Sequence, residues 1–278
     1  MKQFRWIAVA LAIVGCGNEA DPESSSTPPV PPRIRLHVAA ASDLQRALPA
    51  LVQRYRTDHP DVEVVTTLGS SGQLAEQVRG GAPFAVFLSA NEAYVSALAS
   101  EGLLKSGSTR PYASGTLVIA TRREMKTTLA NLNDLTRPEY RRIVIANPET
   151  APYGAAARQA LQKAELWSRL RLSLVFAESV RQALQFVETG NADAGLVSEA
   201  LIQGDRLRTV AIDSVYYDPI VQWLGVVAKL PEDQLKEAER FASFVVSEQG
   251  ATILKSFGLQ SPEPAPDFSR PAEAASAP

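Results

Sequence analysis

The sequence predicts an α/β protein of mostly parallel sheets covered by helices on both faces, and three observations carry that prediction. Short apolar, β-branched runs alternate with stretches of helical periodicity. The segment with this alternation, Ile34 to Gln260, holds about 225 residues, long for one domain and comfortable for two small ones. Several of the runs pass directly into a helix through small or hydroxyl residues. Strands buried on both faces read as continuous apolar runs, and helices between them supply the cover.

The runs, in order, are Ile34 to Ala40, Val62 to Leu68, Ala85 to Leu88, Leu117 to Ala120, Ile143 to Ala146, Leu172 to Phe176 and Ala194 to Val197. Each has the length and composition of a short buried strand. Between them Leu44, Leu48, Leu51, Val52 and Tyr55 recur at helical spacing, as do Leu74, Val78 and Ala82, then Tyr94, Leu98 and Leu103, then Val180, Leu184 and Val187. No repeat period stands out.

The flanks are different. Residues 1–16 carry two positive charges, Lys2 and Arg5, and then an apolar stretch from Trp6 to Val14, the layout of a secretory signal too short to span a bilayer as a mature helix. The stretch ends in Ile13-Val14-Gly15-Cys16, which resembles a lipobox, so Cys16 is expected to be diacylated and to anchor the protein. Residues 17–33, with Ser24-Ser25-Ser26-Thr27-Pro28-Pro29, read as a flexible linker, and residues 261–278 as a disordered Pro/Ala/Ser tail. Cys16 is the only cysteine, so no intramolecular disulfide supports the fold.

Composition excludes several classes. The 28 basic and 30 acidic residues give a formal charge of -2, and the basic ones are scattered, so no nucleic-acid surface is indicated. The two histidines, His37 inside a predicted strand and His59 before Pro60, read as structural. No nucleophile elbow, HExxH, cysteine cluster or P-loop suggests an enzyme, a metal or a nucleotide.

What remains is the set of strand-to-helix turns: Ala39-Ala40-Ala41-Ser42-Asp43, Gly69-Ser70-Ser71-Gly72, Pro152-Tyr153-Gly154 and Ala177-Glu178-Ser179-Val180. Helix N-termini present unpaired N–H groups and the positive end of the helix dipole, and so attract anions. In open α/β sheets ligands sit at the carboxyl ends of the strands, where these turns lie. The simpler alternative is that Ser42, Ser71 and Ser179 cap their helices.

From Ala39-Ala40-Ala41-Ser42-Asp43-Leu44 onward the chain resembles the periplasmic molybdate-binding (ModA-type) family. Gly69-Ser70-Ser71-Gly72-Gln73-Leu74 with Gly80-Gly81-Ala82-Pro83 and Phe87-Leu88-Ser89-Ala90 is similar to its second block. Asn147-Pro148-Glu149 with Ala151-Pro152-Tyr153-Gly154 resembles the third. Glu178-Ser179-Val180-Arg181-Gln182-Ala183-Leu184 and Gly190-Asn191-Ala192-Asp193-Ala194-Gly195 resemble the fourth and fifth. The resemblance implies a two-lobed, type II periplasmic-binding-protein (Venus flytrap) fold, with residues 34–113 and 220–260 in lobe one and 114–219 in lobe two. It further implies a monomeric binding component of an ABC importer on the periplasmic side of the cell envelope, with an ABC permease as partner, no cofactor and no catalysis. The ligand implied is molybdate or tungstate, bound as an oxyanion and not as a bare metal cation. In that family no charged side chain holds the anion, so the cleft is expected to bind it without titrating between about pH 6 and 9. Carried over by motif, the contacts fall on the hydroxyls of Ser42, Ser71 and Tyr153 and the backbone amide of Val180, with the Tyr153 hydroxyl in water when the cleft is open. The chain departs from the family at Ala85, where a carboxylate is usual, at Thr150, where histidine is frequent, and at Ser198, where some members carry a tyrosine. A receptor for sulfate or another small solute, or a sensory lipoprotein, is the alternative, since a fold does not name its ligand.

Overall fold

The computed structural model describes residues 34–262. The signal segment with Cys16, the linker and the tail from residue 263 lie outside the described residues.

Ten strands form two five-stranded sheets. The first contains β1 (Ile34–Ala41), β2 (Val62–Gly69), β3 (Val86–Ser89), β4 (Arg110–Gly115) and β10 (Ile220–Val226), in the order β2-β1-β3-β10-β4. The second contains β5 (Leu117–Arg122), β6 (Ile143–Ala146), β7 (Leu174–Ala177), β8 (Ala194–Ser198) and β9 (Leu207–Ala211), in the order β7-β6-β8-β5-β9. Both sheets are mixed in the same way. Three strands on one side run parallel, the fourth in the order is reversed, and the fifth pairs antiparallel to it. The helices are α1 (Ala47–Asp58), α2 (Ser71–Arg79), α3 (Glu92–Ser100), α4 (Pro152–Lys163), α5 (Trp167–Leu170), α6 (Val180–Glu188), α7 (Glu232–Val245) and α8 (Glu248–Ser256).

Each predicted run forms a strand within two residues of its expected ends. Three strands went unpredicted: β4, β9 and β10. β4 carries Pro111 and ends in Ser114-Gly115, which reads as a loop, and the proline is tolerated because β4 is an edge strand facing a bulge between Gln222 and Trp223. β10 places the polar Gln222 in the middle of an apolar run. β7 begins at Leu174, and Leu172 sits in the preceding turn, 99% exposed.

Burial follows the sheets. One core gathers the inward faces of β5, β6 and β8 with α4 and α6; the first sheet is covered on one face by α1, α7 and α8 and on the other by α2 and α3. Ala41 and Ala90, at the ends of β1 and β3, belong to the core of the second sheet, so the strand ends of one half press on the other. The chain passes from first sheet to second through Thr116 and returns between Ala211 and Ile220. The crossing is tied by reciprocal backbone bonds, Ser114 N to Gln260 O at 2.9 Å and Gln260 N to Ser114 O at 2.8 Å, and by the Tyr217 hydroxyl, which accepts from Leu117 N at 3.2 Å.

Candidate functional site

The first half brings its two hydroxyl turns to the same level. β1 and β2 are parallel with Ala41 opposite Gly69, so Ser42 and Ser70-Ser71 leave adjacent strand ends together. Ser42 opens a short 3-10 turn, Ser42–Gln45, and Ser71 is the first residue of α2; neither turn has a side-chain cap bond at its N-terminus. The Ser71 Oγ instead accepts from the backbone N–H of Ala90, at the end of β3, at 3.0 Å. Capping therefore does not account for Ser42 or Ser71.

The second half repeats the arrangement. β6 and β7 are parallel with Ala146 opposite Ala177, and the helices that follow them, α4 and α6, begin beside each other. Tyr153 lies in the first turn of α4 behind Pro152, whose fixed φ and missing N–H suit that place. Val180 is the first residue of α6, so its N–H has no acceptor in its own helix. Here the simple reading of Ser179 holds: its Oγ accepts from Gln182 N at 3.2 Å, and Gln182 Oε1 accepts in return from Glu178 N at 2.7 Å.

The two halves meet along these turns. Gly72 N donates to Thr150 O at 2.9 Å, the Tyr94 hydroxyl to Glu149 O at 3.3 Å, and Arg46 to the carbonyls of Ala200 (3.3 Å) and Ile202 (2.5 Å). α6 packs on the Ser42–Gln45 turn. The Tyr153 hydroxyl donates to Asp43 Oδ2 at 3.1 Å, next to Ser42. Ser42, Tyr153 and Val180 are thus joined through direct contacts of their elements, and Ser71 stands on the neighbouring strand end beside the Gly72–Thr150 bond. Tyr153 is 1% exposed, so its hydroxyl is held by Asp43 and is not the solvated group expected of an open cleft.

Sequence reasoning missed the residue at the centre of this contact. Asp43 is 1% exposed, and its Oδ2 accepts from both Tyr153 and Gln222 Nε2; Gln222 Oε1 in turn accepts from the Tyr112 hydroxyl at 2.5 Å. Burial pushes the Asp43 carboxyl up to about 6, against the bonds from Tyr153 and Gln222 that favour its charged form. Burial, and then the charge of Asp43, raise Tyr153 well above the usual phenol range, so it stays a neutral donor. A titratable carboxyl therefore stands at this boundary, one residue from Ser42 and bonded to Tyr153, beside the neutral contacts expected of the anion. Asp43 was visible in the first motif, but its spacing matched an ordinary acidic residue in a helical first turn; Gln222 was hidden in an apolar strand.

Polar groups without partners cluster at the same boundary. Asp43 Oδ1 and the hydroxyls of Ser70 and Thr150 are buried with no side-chain or backbone hydrogen bond, and the Ser198 hydroxyl has no partner but the Tyr153 oxygen that it faces. Ser198 ends β8. Buried hydroxyls left unpaired cost free energy, and a small ligand rich in acceptors would satisfy them. Among the described residues no group of three His, Cys, Asp or Glu side chains converges to hold a cation, and no helix is long and apolar enough to cross a membrane.

Two mixed sheets of equal order, joined by a paired crossing and facing each other through polar strand ends, define a two-lobed solute receptor. The chain matches the family of bacterial extracellular solute-binding proteins over residues 36–260. It is 30% identical over 231 residues to the molybdate-binding protein ModA of Azotobacter vinelandii, covering 80% of this chain and 88% of that one. It is also 30% identical over 271 residues to ModA of Mycobacterium tuberculosis, covering 93% and 100%. The solved periplasmic molybdate-binding protein of A. vinelandii superposes with a TM-score of 0.76 at 31% identity, over 82% of this chain and all of that one. The chain belongs to this extracellular solute-binding family, in the group of molybdate-binding proteins.

Proposed function

We propose that this protein captures molybdate, or tungstate, between its two lobes and delivers it to the permease of an ABC importer while anchored to the membrane through Cys16. Residues 34–113 with 220–260 make one lobe and 114–219 the other. The anion is held by the hydroxyls of Ser42 and Ser71 from the first lobe, and by the Tyr153 hydroxyl and the Val180 amide from the second. The observation that carries this reading is the meeting of four strand-end turns at one buried boundary, with hydroxyl and amide donors and without an arginine or lysine among the assigned contacts. Neutral donors arranged around a small dianion bind it by hydrogen bonds and helix-end dipoles alone. The names of its relatives supply the identity of the anion.

The test is calorimetric and thermal. Molybdate and tungstate should each raise the melting temperature, since a ligand that binds only the native state stabilises it by mass action. Stabilisation by sulfate, phosphate or a free amino acid, with no effect of millimolar molybdate, would overturn the ligand. Anchoring is separable: the wild-type protein should partition with membranes and Cys16→Ser should not.

A further inference from the structure

The bond between Tyr153 and Asp43 creates a donor shortage. A tyrosine hydroxyl has one proton, and in this structure it is given to Asp43 Oδ2. An anion seated at Tyr153 needs that same proton. If it turns to the anion, Asp43 keeps Gln222 as its one side-chain donor beside the backbone N–H groups of its own turn, Asp43 and Leu44, with Oδ1 accepting no side-chain bond, and a buried carboxylate then lies beside a dianion. Like charges in a dry cleft repel strongly.

No nearby cation relieves this. Asp43 is faced by Tyr153 from α4 and Gln222 from β10, with Tyr112 of β4 behind Gln222 and Ser198 of β8 against Tyr153. Arg46, on the same turn, directs its guanidinium to the Ala200 and Ile202 carbonyls. α6, packed on the turn, has Arg181 paired with Glu188 at 2.8 Å on its exposed side; Glu199 is exposed, and on β2 the one charged side chain, Glu63, pairs with Arg35.

We propose that anion capture at this site takes up one proton from solvent onto Asp43, which reverses the Asp43–Tyr153 hydrogen bond and frees the tyrosine proton for the bound anion. A neutral Asp43 donates its new O–H to the Tyr153 oxygen, Tyr153 donates outward, and Gln222 still donates to the carboxyl. The new Asp43 O–H, the Tyr153 hydroxyl and Gln222 Nε2 then each have an acceptor, and none of these three side chains sets a negative charge beside the anion. The bond that forms is Asp43 O–H; the proton leaves a buffer acid, whose conjugate base remains in solution. The upward shift of the carboxyl by burial places this uptake close to neutral pH. The inference rests on the anion-binding role proposed above.

Titration of the ligand-free protein with molybdate, in pairs of buffers with different heats of ionisation, decides it. Wild type should take up close to one proton per anion above about pH 7, and its Kd should rise about tenfold per pH unit from there. Asp43→Asn keeps an amide that can donate to Tyr153, and should bind with a pH-independent Kd and no proton uptake. Binding by wild type with a flat Kd and no uptake sinks this inference and leaves the function standing. The same slope in Asp43→Asn assigns the proton elsewhere and also sinks it. Failure of molybdate, tungstate and sulfate to bind at any pH down to about 5 overturns the function and this inference together. If Asp43→Asn does not fold, the wild-type buffer pairs give the proton count alone.

Discussion

The two lobes share one strand order, yet the turns at their strand ends do unequal work. In the first lobe the donors are short and fixed: Ser71 is held by Ala90, and Ser42 sits in a tight turn on the next strand end. In the second they are a helix-end amide whose turn is already capped by Ser179, and a tyrosine long enough to cross the boundary and take hold of Asp43. Equal scaffolds therefore need not carry equal chemistry. The first lobe is built to offer donors in place, the second to reach over, so among the assigned anion contacts only a second-lobe change should disturb closure through Asp43, and the titration of that carboxyl, as well as binding. Such closure between packed bodies is a familiar route to ligand capture.

Glycines give the largest test of this asymmetry. A Cβ on Gly154 would stand 2.2 Å from the Ala146 carbonyl oxygen, because α4 packs directly on the end of β6. Gly154→Ala should cost on the order of 3 kcal/mol in urea unfolding, by forcing α4 off its sheet. A Cβ on Gly72 would meet the Thr150 carbonyl oxygen of the other lobe at 2.9 Å and, within its own lobe, only the Tyr94 hydroxyl at 2.9 Å, the far end of a side chain that can swing aside. Gly72→Ala should therefore fold with near wild-type stability and lose anion affinity by at least about tenfold, through weakened closure. Equal destabilisation by both substitutions would show that the lobes do not behave as separate bodies.

Ser71→Ala and Tyr153→Phe sharpen the comparison further. Each removes one hydrogen bond to a charged group, worth about 1.5–3 kcal/mol, so calorimetry should show affinity falling roughly ten- to a hundredfold in both. They should differ without ligand. Ser71→Ala leaves Asp43 untouched, whereas Tyr153→Phe removes a bond that favours the charged carboxyl, moving its titration further up. The sign follows from linkage: a carboxyl raised in the fold gives stability that is complete below its unfolded pKa and lost as pH rises through its folded pKa, about 6 in the wild type. Stability lost between pH 5 and 8 should therefore be greater in Tyr153→Phe than in wild type, and unchanged in Ser71→Ala. Identical pH profiles would mean that Tyr153 does not hold Asp43 in solution.

Much of this arrangement was legible in the residues. The parallel strands β1, β3, β6 and β8 are buried along most of their length and so announce themselves as apolar runs; β2 and β7, at the sheet edges, are half exposed yet keep enough β-branched and apolar residues to be read, and the turns after these strands carry the hydroxyls. β4 and β10 were not legible, since the residues that serve the boundary break the pattern: Pro111 at the bulge, and Gln222 buried for its bonds to Asp43 and Tyr112. Local rules fail where a residue is kept for a contact that only the tertiary fold creates. Asp43 was hidden differently. An acidic residue in a first helical turn is ordinary, and only the arrival of Tyr153 from residues far along the chain makes it unusual.

The smallest effect separates a cap from a contact. Ser179 and Ser42 both stand at strand-to-helix turns, one between β7 and α6 and the other after β1, and both were open to the reading that serine at a helix start is only a cap. The structure divides them: Ser179 accepts from Gln182 N, and the 3-10 turn of Ser42 has no such bond. Ser179→Ala should therefore cost about 1 kcal/mol of stability. The Glu178–Gln182 bond still pins the turn that presents Val180 N–H, so the loss of anion affinity should stay below about tenfold, the smaller effect expected of a removed cap. Ser42→Ala should do the reverse, keeping stability within about 0.5 kcal/mol of wild type, as for substitutions that break no cap or packing, while weakening binding as Ser71→Ala does. Urea unfolding and calorimetry on the two variants would read both axes. If Ser42→Ala loses stability and keeps its affinity, its hydroxyl is structural, and the first lobe would hold the anion through Ser71 and backbone amides alone.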